Sequence, residues 1–244
     1  FFLKLPGAVW VTGQPKLQRL VFYYVVLAGI LAWLWYEKKP QRKSEAESNN
    51  RVRNLRFNRI ALTLFYLGLL ICSMQKEEKR FQIQVLDVGQ GDGIYIESDA
   101  GTEIFVDGGS VDVSEVGKYR IRPFLKSHSV REVDYWFVSH CDADHCNGLM
   151  ELLETDYPIK HLVFSKYVLK DEAQEELAAL AKQKGCQVLY MEEGECFRDT
   201  SIRIQAIYPS EKSVEGERNA DSLVLLLEHG NFHGLLTGDI GSEQ

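Results

Sequence analysis

The sequence predicts a mixed α/β domain preceded by two apolar helices. From residue 81 onward, short runs rich in β-branched and aromatic residues are separated by glycine, which is typical of strands. Later in the chain such strands alternate with helical stretches, as in α/β folds. Residues 20–36 and 60–74, in contrast, contain no charged side chain. We therefore expect two domains, residues 1–80 and residues 81–244. One to two domains are usual for a chain of 244 residues.

The formal charge separates the same two parts of the chain. Residues 1–80 contain 14 of the 28 Lys and Arg but only 5 of the 35 Asp and Glu, which gives +9. Residues 81–244 therefore carry a formal charge of −16. An acidic domain is poorly suited to hold a polyanion through a general surface charge, because phosphate binding draws on clustered Lys and Arg.

The two uncharged segments are predicted to span a membrane. They are 17 and 15 residues long, against the roughly 17 to 25 residues of a spanning helix; buried core helices are the alternative. The loop between them, residues 37–59, has eight Lys and Arg against three Glu, and such loops lie in the cytoplasm. A crossing at 60–74 would place residues 75–244 outside the cytoplasm, although a second basic cluster at 76–80 weakens this orientation.

Local signals predict the elements of residues 81–244 in order. Three strands come first, and Asp99, Ala100 and Gly101 supply a tight turn between the second and the third. The helix at 171–184 has acidic residues in its first turns and lysines in its last turn, and Gly185 ends it. The predicted strands are 81–88, 93–98, 102–109, 133–138, 161–164, 187–191, 201–208, 222–229 and 233–239, and the predicted helical regions are 114–129, 146 or 147 to 154, and 171–184.

The segment SHCDADHCNG, residues 139–148, concentrates metal-ligating side chains directly after the strand at 133–138. Imidazole and carboxylate groups at alternating positions of an extended turn can face one side and reach one or two divalent ions. An acidic turn in which Asp144 caps the next helix is the alternative. Cys141 and Cys146 would be soft competitors for zinc, but side-chain alternation favours packing for Cys141. The candidate ligands are His140, Asp142, Asp144 and His145.

HCDADH resembles the HxHxDH signature of the metallo-β-lactamase fold, with Asp142 in place of the middle histidine. LDVGQGD, TEIFVDGG and LLTGD are similar to motifs of the ComEC-type DNA-internalisation competence proteins. LPGAVWV and the two apolar segments resemble the end of that family's membrane domain, so the resemblance covers nearly all of the chain. It implies an αββα sandwich of the metallo-β-lactamase type that is preceded by transmembrane helices. We expect the chain to be a fragment in which this sandwich is incomplete at the C-terminus.

The resemblance also implies a centre for two divalent metal ions, manganese or zinc. His140 and Asp142 would serve the first ion, Asp144 and His145 the second, and Asp239 of LLTGD would bridge both. Oxygen-rich coordination shifts the preference from zinc towards manganese or magnesium. A further histidine is expected after Asp239, so the site of this fragment is expected to be incomplete. Glycine-rich turns without function are the alternative for the two aspartates upstream of the motif. The residues implied to support the ligands are Asp87, Asp107, Asn219 and Ser222.

The function implied by the resemblance is a metal-dependent nuclease domain of a membrane DNA-uptake protein, which degrades the strand that is not imported during natural transformation. Asp144 and Asp239 would position the attacking oxygen. The implied partners are single- or double-stranded DNA, membrane lipid, the remainder of the same membrane protein and other DNA-uptake machinery. Two alternatives stay open: a membrane-tethered metallohydrolase of another ester, lactam or thioester, and a degenerate domain that gates a DNA channel. A basic run upstream of the motif, either a DNA contact or a solvated helix face, comprises Lys118, Arg120, Arg122, Lys126 and Arg131.

Overall fold

The computed structural model describes residues 11, 13–37, 62–63, 65–66, 79–168, 170–213 and 217–241. The chain divides into two compact units, Phe1–Glu77 and Glu78–Gln244. In the first unit, helix α1 (Leu17–Glu37) covers the first predicted apolar segment. No helix among the described residues has both the length and the apolarity needed to cross a membrane. Most of the second predicted segment, at 60–74, lies outside the described residues.

Among its described residues, the second unit contains ten strands, a π-helical turn and three helices. A mixed α/β domain, as the sequence predicts, is confirmed. The strands are β1 (Gln82–Val85), β2 (Gly93–Glu97), β3 (Glu103–Asp107), β4 (Val133–Phe137), β5 (Ile159–Ser165), β6 (Gln187–Met191), β7 (Cys196–Arg198), β8 (Arg203–Tyr208), β9 (Val224–His229) and β10 (Phe232–Leu236). The helical elements are the π-helical turn Gly117–Ile121, α2 (Arg122–Ser127), α3 (Ala143–Glu154) and α4 (Glu172–Gln183).

The strands form two sheets. The larger sheet has the order β1-β2-β3-β4-β5-β6; β1 to β3 are antiparallel, and β3 to β6 are parallel neighbours. The smaller sheet has the order β10-β9-β8-β7 and is antiparallel throughout. Because β3 and β4 run parallel, their carboxyl ends meet at one edge of the larger sheet, where ligand sites of α/β folds are found.

Two apolar cores hold the layers together. The first joins the larger sheet to α2, α3 and α4, and the second lies between the two sheets, where β2 to β5 face β8 and β9. In the first core Phe105 and Trp136 stack with 4.4 Å between their ring centroids, and burial of each side chain contributes about 1.5–3 kcal/mol. All five residues of β3 are buried because both faces of this strand are covered. The layers therefore run helices, larger sheet, smaller sheet, and none of the described helices of this unit lies against the outer face of the smaller sheet.

The structure differs from the sequence-based assignment at two elements. Helix α3 begins at Ala143 with Asp142 at its N-cap, so the predicted start at residue 146 or 147 is wrong. Asp144 and His145 therefore lie in the first helical turn rather than in an extended turn, and the N-cap position belongs to Asp142 instead of Asp144. Strand β7 is absent from the prediction because its three residues, CFR, are too few to show alternation.

Candidate metal centre

The candidate centre lies where β3 and β4 end and α3 begins. Asp107 is the last residue of β3, and Ser139 to Asp142 connect β4 to the helix. The turn after β10 brings Asp239 to the same place, since its Oδ2 lies 3.4 Å from Nε2 of His145. The loop before β9 brings Ser222, whose Oγ lies 3.4 Å from Nδ1 of His140. Four separate chain segments thus meet at the N-terminus of α3.

Asp107 organises the buried side of the centre. Its carboxylate accepts hydrogen bonds from the backbone N–H of Ser139 at 2.7 Å and from the Ser139 hydroxyl at 2.8 Å. Its Oδ2 also lies 3.2 Å from Nδ1 of His145. The backbone of Asp107 is left-handed, with φ 58°, and aspartate is one of the few side chains that tolerate this conformation. Side chain and backbone together turn the chain away from β3 and direct the carboxylate towards the two histidines.

The hydrogen bonds around His140 leave one ring nitrogen without a partner. The Ser139 hydroxyl has one proton, which goes to Asp107, so at its 3.1 Å contact with His140 it accepts the Nδ1 proton. The lone pair of His140 then lies on Nε2. This nitrogen is buried and has no hydrogen-bond partner within the described part of the chain, and His140 as a whole is 1% exposed. Burial, followed by the charge of His145, lowers the pKa of His140, which keeps this ring neutral and able to bind a cation.

His145 is held between two carboxylates. Nδ1 donates to Asp107, and Nε2 points at Asp239. Burial disfavours the charged imidazolium, but the hydrogen bond and charge of Asp107, together with Asp239, outweigh it and raise the pKa of His145 to about 9. The lone pair of Nε2 and the carboxylate of Asp239 both accept hydrogen bonds, so a positive charge has to lie between them, either a proton or a metal ion. The His140 ring lies close by, tilted by 45° from the His145 ring, with 4.0 Å between the two centroids.

These side chains form two potential ligand sets that share His145. The ligand atoms of His140, His145 and Asp239 all lie within 4.8 Å of one another, and so do those of Asp92, Asp107 and His145. A mixed set of imidazole and carboxylate suits zinc or manganese. The buried, unpartnered Nε2 of His140 is the observation that a metal ion in the first set would explain, and the residues therefore fit a divalent ion.

Asp142 and Asp144, two predicted ligands, fall outside both sets. Oδ2 of Asp142 lies 3.6 Å from Nε2 of His140, and its Oδ1 accepts a hydrogen bond from Arg218 at 2.5 Å. The guanidinium of Arg218 also binds Asp171 at the N-cap of α4. Asp144 is half-buried in the first turn of α3. The sequence does not identify Arg218 as a site residue, because a single arginine in a polar loop belongs to no recognisable motif.

The residues predicted to support the ligands are placed unequally. Asp107 and Ser222 contact His145 and His140, as described above, whereas Asp87 and Asn219 are exposed. Asp92, which the sequence analysis did not select, belongs to the second ligand set. Burial and the charge of Asp107 raise the pKa of Asp92. Its sequence signal is the segment GQGD, in which two glycines precede the carboxylate.

The predicted DNA contacts lie on the π-helical turn and on the helix and loop that follow it. Lys118 is exposed and pairs with Glu115 at 2.6 Å. Arg122 is half-buried and hydrogen-bonds Thr155 of the α3 C-cap. Each of these two cations thus has a partner within the domain. The remaining members of the run are Arg120 and Lys126, both exposed, and Arg131.

Both cysteines of the motif lie in the core between the larger sheet and the helices. Burial raises the pKa of the Cys141 thiol far above its ordinary range and that of Cys146 to about 12. Protonated thiols are poor metal ligands, so packing is the role that the structure gives them.

Comparisons with known proteins show which proteins this chain resembles. No protein-family model matches the chain. The chain is 25% identical over 197 residues to ComE operon protein 3 of Bacillus subtilis (strain 168), a match that covers 75% of this chain and 25% of that protein. The chain thus spans a quarter of the length of this relative. The match confirms the resemblance to ComEC-type competence proteins.

Among solved structures, similarity is partial. The metallo-beta-lactamase fold protein YhfI from Bacillus subtilis has a TM-score of 0.42 at 13% identity, covering 64% of this chain and 62% of that one. A metallo-beta-lactamase from Staphylococcus aureus subsp. aureus COL has a TM-score of 0.43 at 11% identity, covering 66% and 44%. CmlA, a diiron beta-hydroxylase from Streptomyces venezuelae, has a TM-score of 0.42 at 15% identity, covering 67% and 30%.

Proposed function

We propose that residues 81–244 form a metal-dependent phosphodiester hydrolase domain of the metallo-β-lactamase type, which acts as a nuclease of a DNA-uptake membrane protein. The observation that carries the proposal is the set His140, His145 and Asp239, with ligand atoms within 4.8 Å of one another and with a buried, unpartnered nitrogen on His140. The likeness to ComE operon protein 3 supports a metallohydrolase domain. DNA as the substrate, and uptake as its context, rest on the ComEC-type motifs.

In this proposal His140, His145 and Asp239 hold a divalent ion, and Asp142 and Asp144 add oxygen ligands. Asp142 already directs one carboxylate oxygen towards Nε2 of His140, at 3.6 Å. A bound ion would supply Lewis-acid activation of water and would neutralise charge on the phosphoryl oxygens. Manganese or zinc, two ions per chain, is the proposed complement.

The protein's own groups prepare this chemistry by fixing protons. Ser139 and Asp107 each accept the Nδ1 proton of one imidazole ring, so that Nε2 of both rings faces the centre. A bound metal ion would replace the Nε2 proton of His145. Asp239 has a side chain that is 45% exposed, and its free oxygen can accept a hydrogen bond from a water molecule at the mouth of the centre. Asp144, half-buried in the first turn of α3, is proposed to orient the same water.

Arg218 supports an anionic substrate. Its side chain is 37% exposed at the rim of the centre, and the bonds to Asp142 and Asp171 occupy three of its five N–H groups. Guanidinium groups bind phosphate with parallel hydrogen bonds. The net negative charge of residues 81–244 disfavours binding of a polyanion over a broad surface. A local cation of this kind offsets that charge at the centre.

The location follows the charge pattern of the sequence and is part of the proposal. The basic loop at 37–59 would lie in the cytoplasm, and the hydrolase domain would lie outside it, where incoming DNA arrives. DNA, lipid, the rest of the same protein and other uptake components are the proposed partners.

The test is hydrolysis of a fluorescent DNA oligonucleotide and of bis(4-nitrophenyl) phosphate by the purified chain, with Mn²⁺, Zn²⁺ or EDTA. We expect metal-dependent cleavage that falls at least about 100-fold in Asp239→Asn, a loss typical of an essential electrostatic group. His161→Gln is the matched control, because His161 donates to a backbone oxygen on β4, away from the centre. Cleavage that survives both EDTA and Asp239→Asn would exclude the mechanism.

A further inference from the structure

Asp107 keeps a strained backbone conformation immediately before two glycines. Its φ of 58° lies in the left-handed region, which residues with a Cβ atom adopt only where the surrounding structure holds them there. On the upstream side β3 pairs with β2, and the Asp107 carbonyl accepts a hydrogen bond from Nε1 of Trp136 at 2.6 Å. On the downstream side Gly108 and Gly109 have no side chain with which to hold the backbone. The downstream anchor therefore comes from other residues.

Asn147, on α3, supplies this anchor at Ser110. Its Oδ1 accepts a hydrogen bond from the backbone N–H of Ser110 at 3.0 Å, and its Nδ2 donates to the Ser110 carbonyl at 2.6 Å. The two bonds fix the orientation of the amide, because its oxygen faces a donor and its nitrogen faces an acceptor. Ser110 is 2% exposed, and buried backbone groups need hydrogen-bond partners. The Asn147 amide thus clamps both backbone groups of this residue.

The chain between Asp107 and this clamp is short and packs closely on α3. A Cβ atom on Gly109 would lie 2.2 Å from the backbone carbon of Asp144 and 2.4 Å from the backbone nitrogen of His145. Two glycines alone separate Asp107 from Ser110. A shift of the clamped residue is therefore transmitted both to Asp107 and to the first turn of α3.

We infer that Asn147 is a positioning residue of the candidate centre, which keeps the Asp107 carboxylate on Ser139 and His145 by clamping Ser110. That carboxylate accepts a hydrogen bond from the Ser139 N–H at 2.7 Å and lies 3.2 Å from Nδ1 of His145. The inference rests on the proposed function for its consequence, metal binding. The contact between Asp107 and His145 is measurable without a metal ion.

The first test is the exchange of the His145 Nδ1 proton with water in the chelator-treated 244-residue chain, followed in ¹H–¹⁵N spectra. In Asn147→Ala the Asp107 carboxylate is no longer held on this proton, so we expect exchange at least about 10-fold faster than in the wild type. Thr155→Val is the matched control, because the Thr155 hydroxyl donates to the Glu151 carbonyl at 2.6 Å at the other end of the same helix. This control is expected to exchange like the wild type.

The second test is a double-mutant cycle on the affinity for Mn²⁺, measured by calorimetry. Asn147→Ala alone is expected to weaken binding about 10-fold. Combined with Asp107→Asn it is expected to add no further loss, since both residues act through one contact with His145. Fully additive losses would show that Asn147 acts independently of Asp107 and would overturn the inference.

The outcomes separate the two proposals. A wild-type chain that binds neither Mn²⁺ nor Zn²⁺ would overturn the proposed function, and the exchange measurement would still decide the role of Asn147. Unchanged exchange in Asn147→Ala, in a chain that circular dichroism shows to be folded, would overturn that role alone. Asn147→Asp keeps the acceptor for the Ser110 N–H but loses the donor to its carbonyl. It is also expected to speed the exchange, and it provides the same test if the alanine variant does not fold.

Discussion

Replacing Asp107 with asparagine should remove the proton from Nδ1 of His145. Ser139 N–H needs an oxygen acceptor, so the amide oxygen of the new side chain takes the place of Oδ1 and the amide NH₂ takes the place of Oδ2. This NH₂ then faces Nδ1 of His145, which lies 3.2 Å from Oδ2 in the wild type. Two donors cannot bond each other, so Nδ1 loses its proton and becomes an acceptor. The ring then keeps only the Nε2 proton, which faces Asp239.

The size of the effect follows from the contacts that Asp107 makes. Two buried hydrogen bonds to the charged Oδ2, from the Ser139 hydroxyl and from His145, are replaced by bonds between neutral groups. This lowers the free energy of unfolding of the metal-free chain by about 1.5–3 kcal/mol. The Nε2 lone pair that faces the proposed metal is also lost, and changing a group that orients a ligand typically weakens metal binding 10–100-fold. That range corresponds to about 1.4–2.7 kcal/mol of binding free energy.

Two assays measure these terms separately. Urea unfolding in EDTA gives the stability of Asp107→Asn, and ¹⁵N chemical shifts of the His145 ring report its tautomer. Calorimetric titration with Mn²⁺ then gives the change in affinity. If Nδ1 of His145 stays protonated in the variant and Mn²⁺ binds with unchanged affinity, Asp107 does not orient His145 and the account of the centre is wrong.

Three further predictions concern packing, pH and substrate charge. Gly117→Ala would place a Cβ atom 2.3 Å from a backbone oxygen of α3 and should lower the free energy of unfolding by about 1–3 kcal/mol. In the control Gly185→Ala the Cβ atom meets no atom within 4 Å, so that only the positive φ is strained. Thermal melts compare the two variants. Burial opposes ionisation of Asp199, but hydrogen bonds from hydroxyl and backbone groups lower its pKa to about 2, so the stability it contributes is present above an unfolded pKa of about 3.9 and is lost as pH falls towards about 2. Asp199→Asn should remove this dependence and cost about 1 kcal/mol after discounting for solvent screening, as measured by urea unfolding between pH 2.5 and 6. Arg218→Gln should reduce kcat/KM for bis(4-nitrophenyl) phosphate about 10-fold or more with little change for the neutral 4-nitrophenyl acetate, while Arg203→Gln, on β8, should leave the diester rate unchanged.

Much of the fold could be predicted from the sequence because its strands are short and clearly bounded. Glycine-containing turns separate β1, β2 and β3, and charge placement marks α4 at both ends. These signals are local, so they can be recognised without knowledge of the tertiary structure. The start of α3 is not predicted, because the polar residues before Cys146 are typical of a turn. In the structure they form the first turn of the helix, at the edge of the sheet.

The same distinction between local signals and tertiary contacts applies to the residues of the candidate centre. His140 and His145 are found from the sequence because they fall within one short motif, and Asp239 follows from the resemblance of LLTGD. Asp92 and Arg218 are brought to the centre by tertiary contacts, namely the close approach of a glycine-rich loop to α3 and a salt bridge between two helix N-caps. Sequence spacing carries no information on either contact.

The central claim is that a metal ion binds between His140, His145 and Asp239. Diffraction from crystals grown with Mn²⁺, recorded at and away from the manganese absorption edge, locates such an ion directly. We expect an anomalous difference peak about 2.0–2.2 Å from the Nε2 atom of each histidine and from a carboxylate oxygen of Asp239, in the range of metal–ligand distances in proteins. A manganese-loaded crystal with no peak among these three side chains would contradict the account.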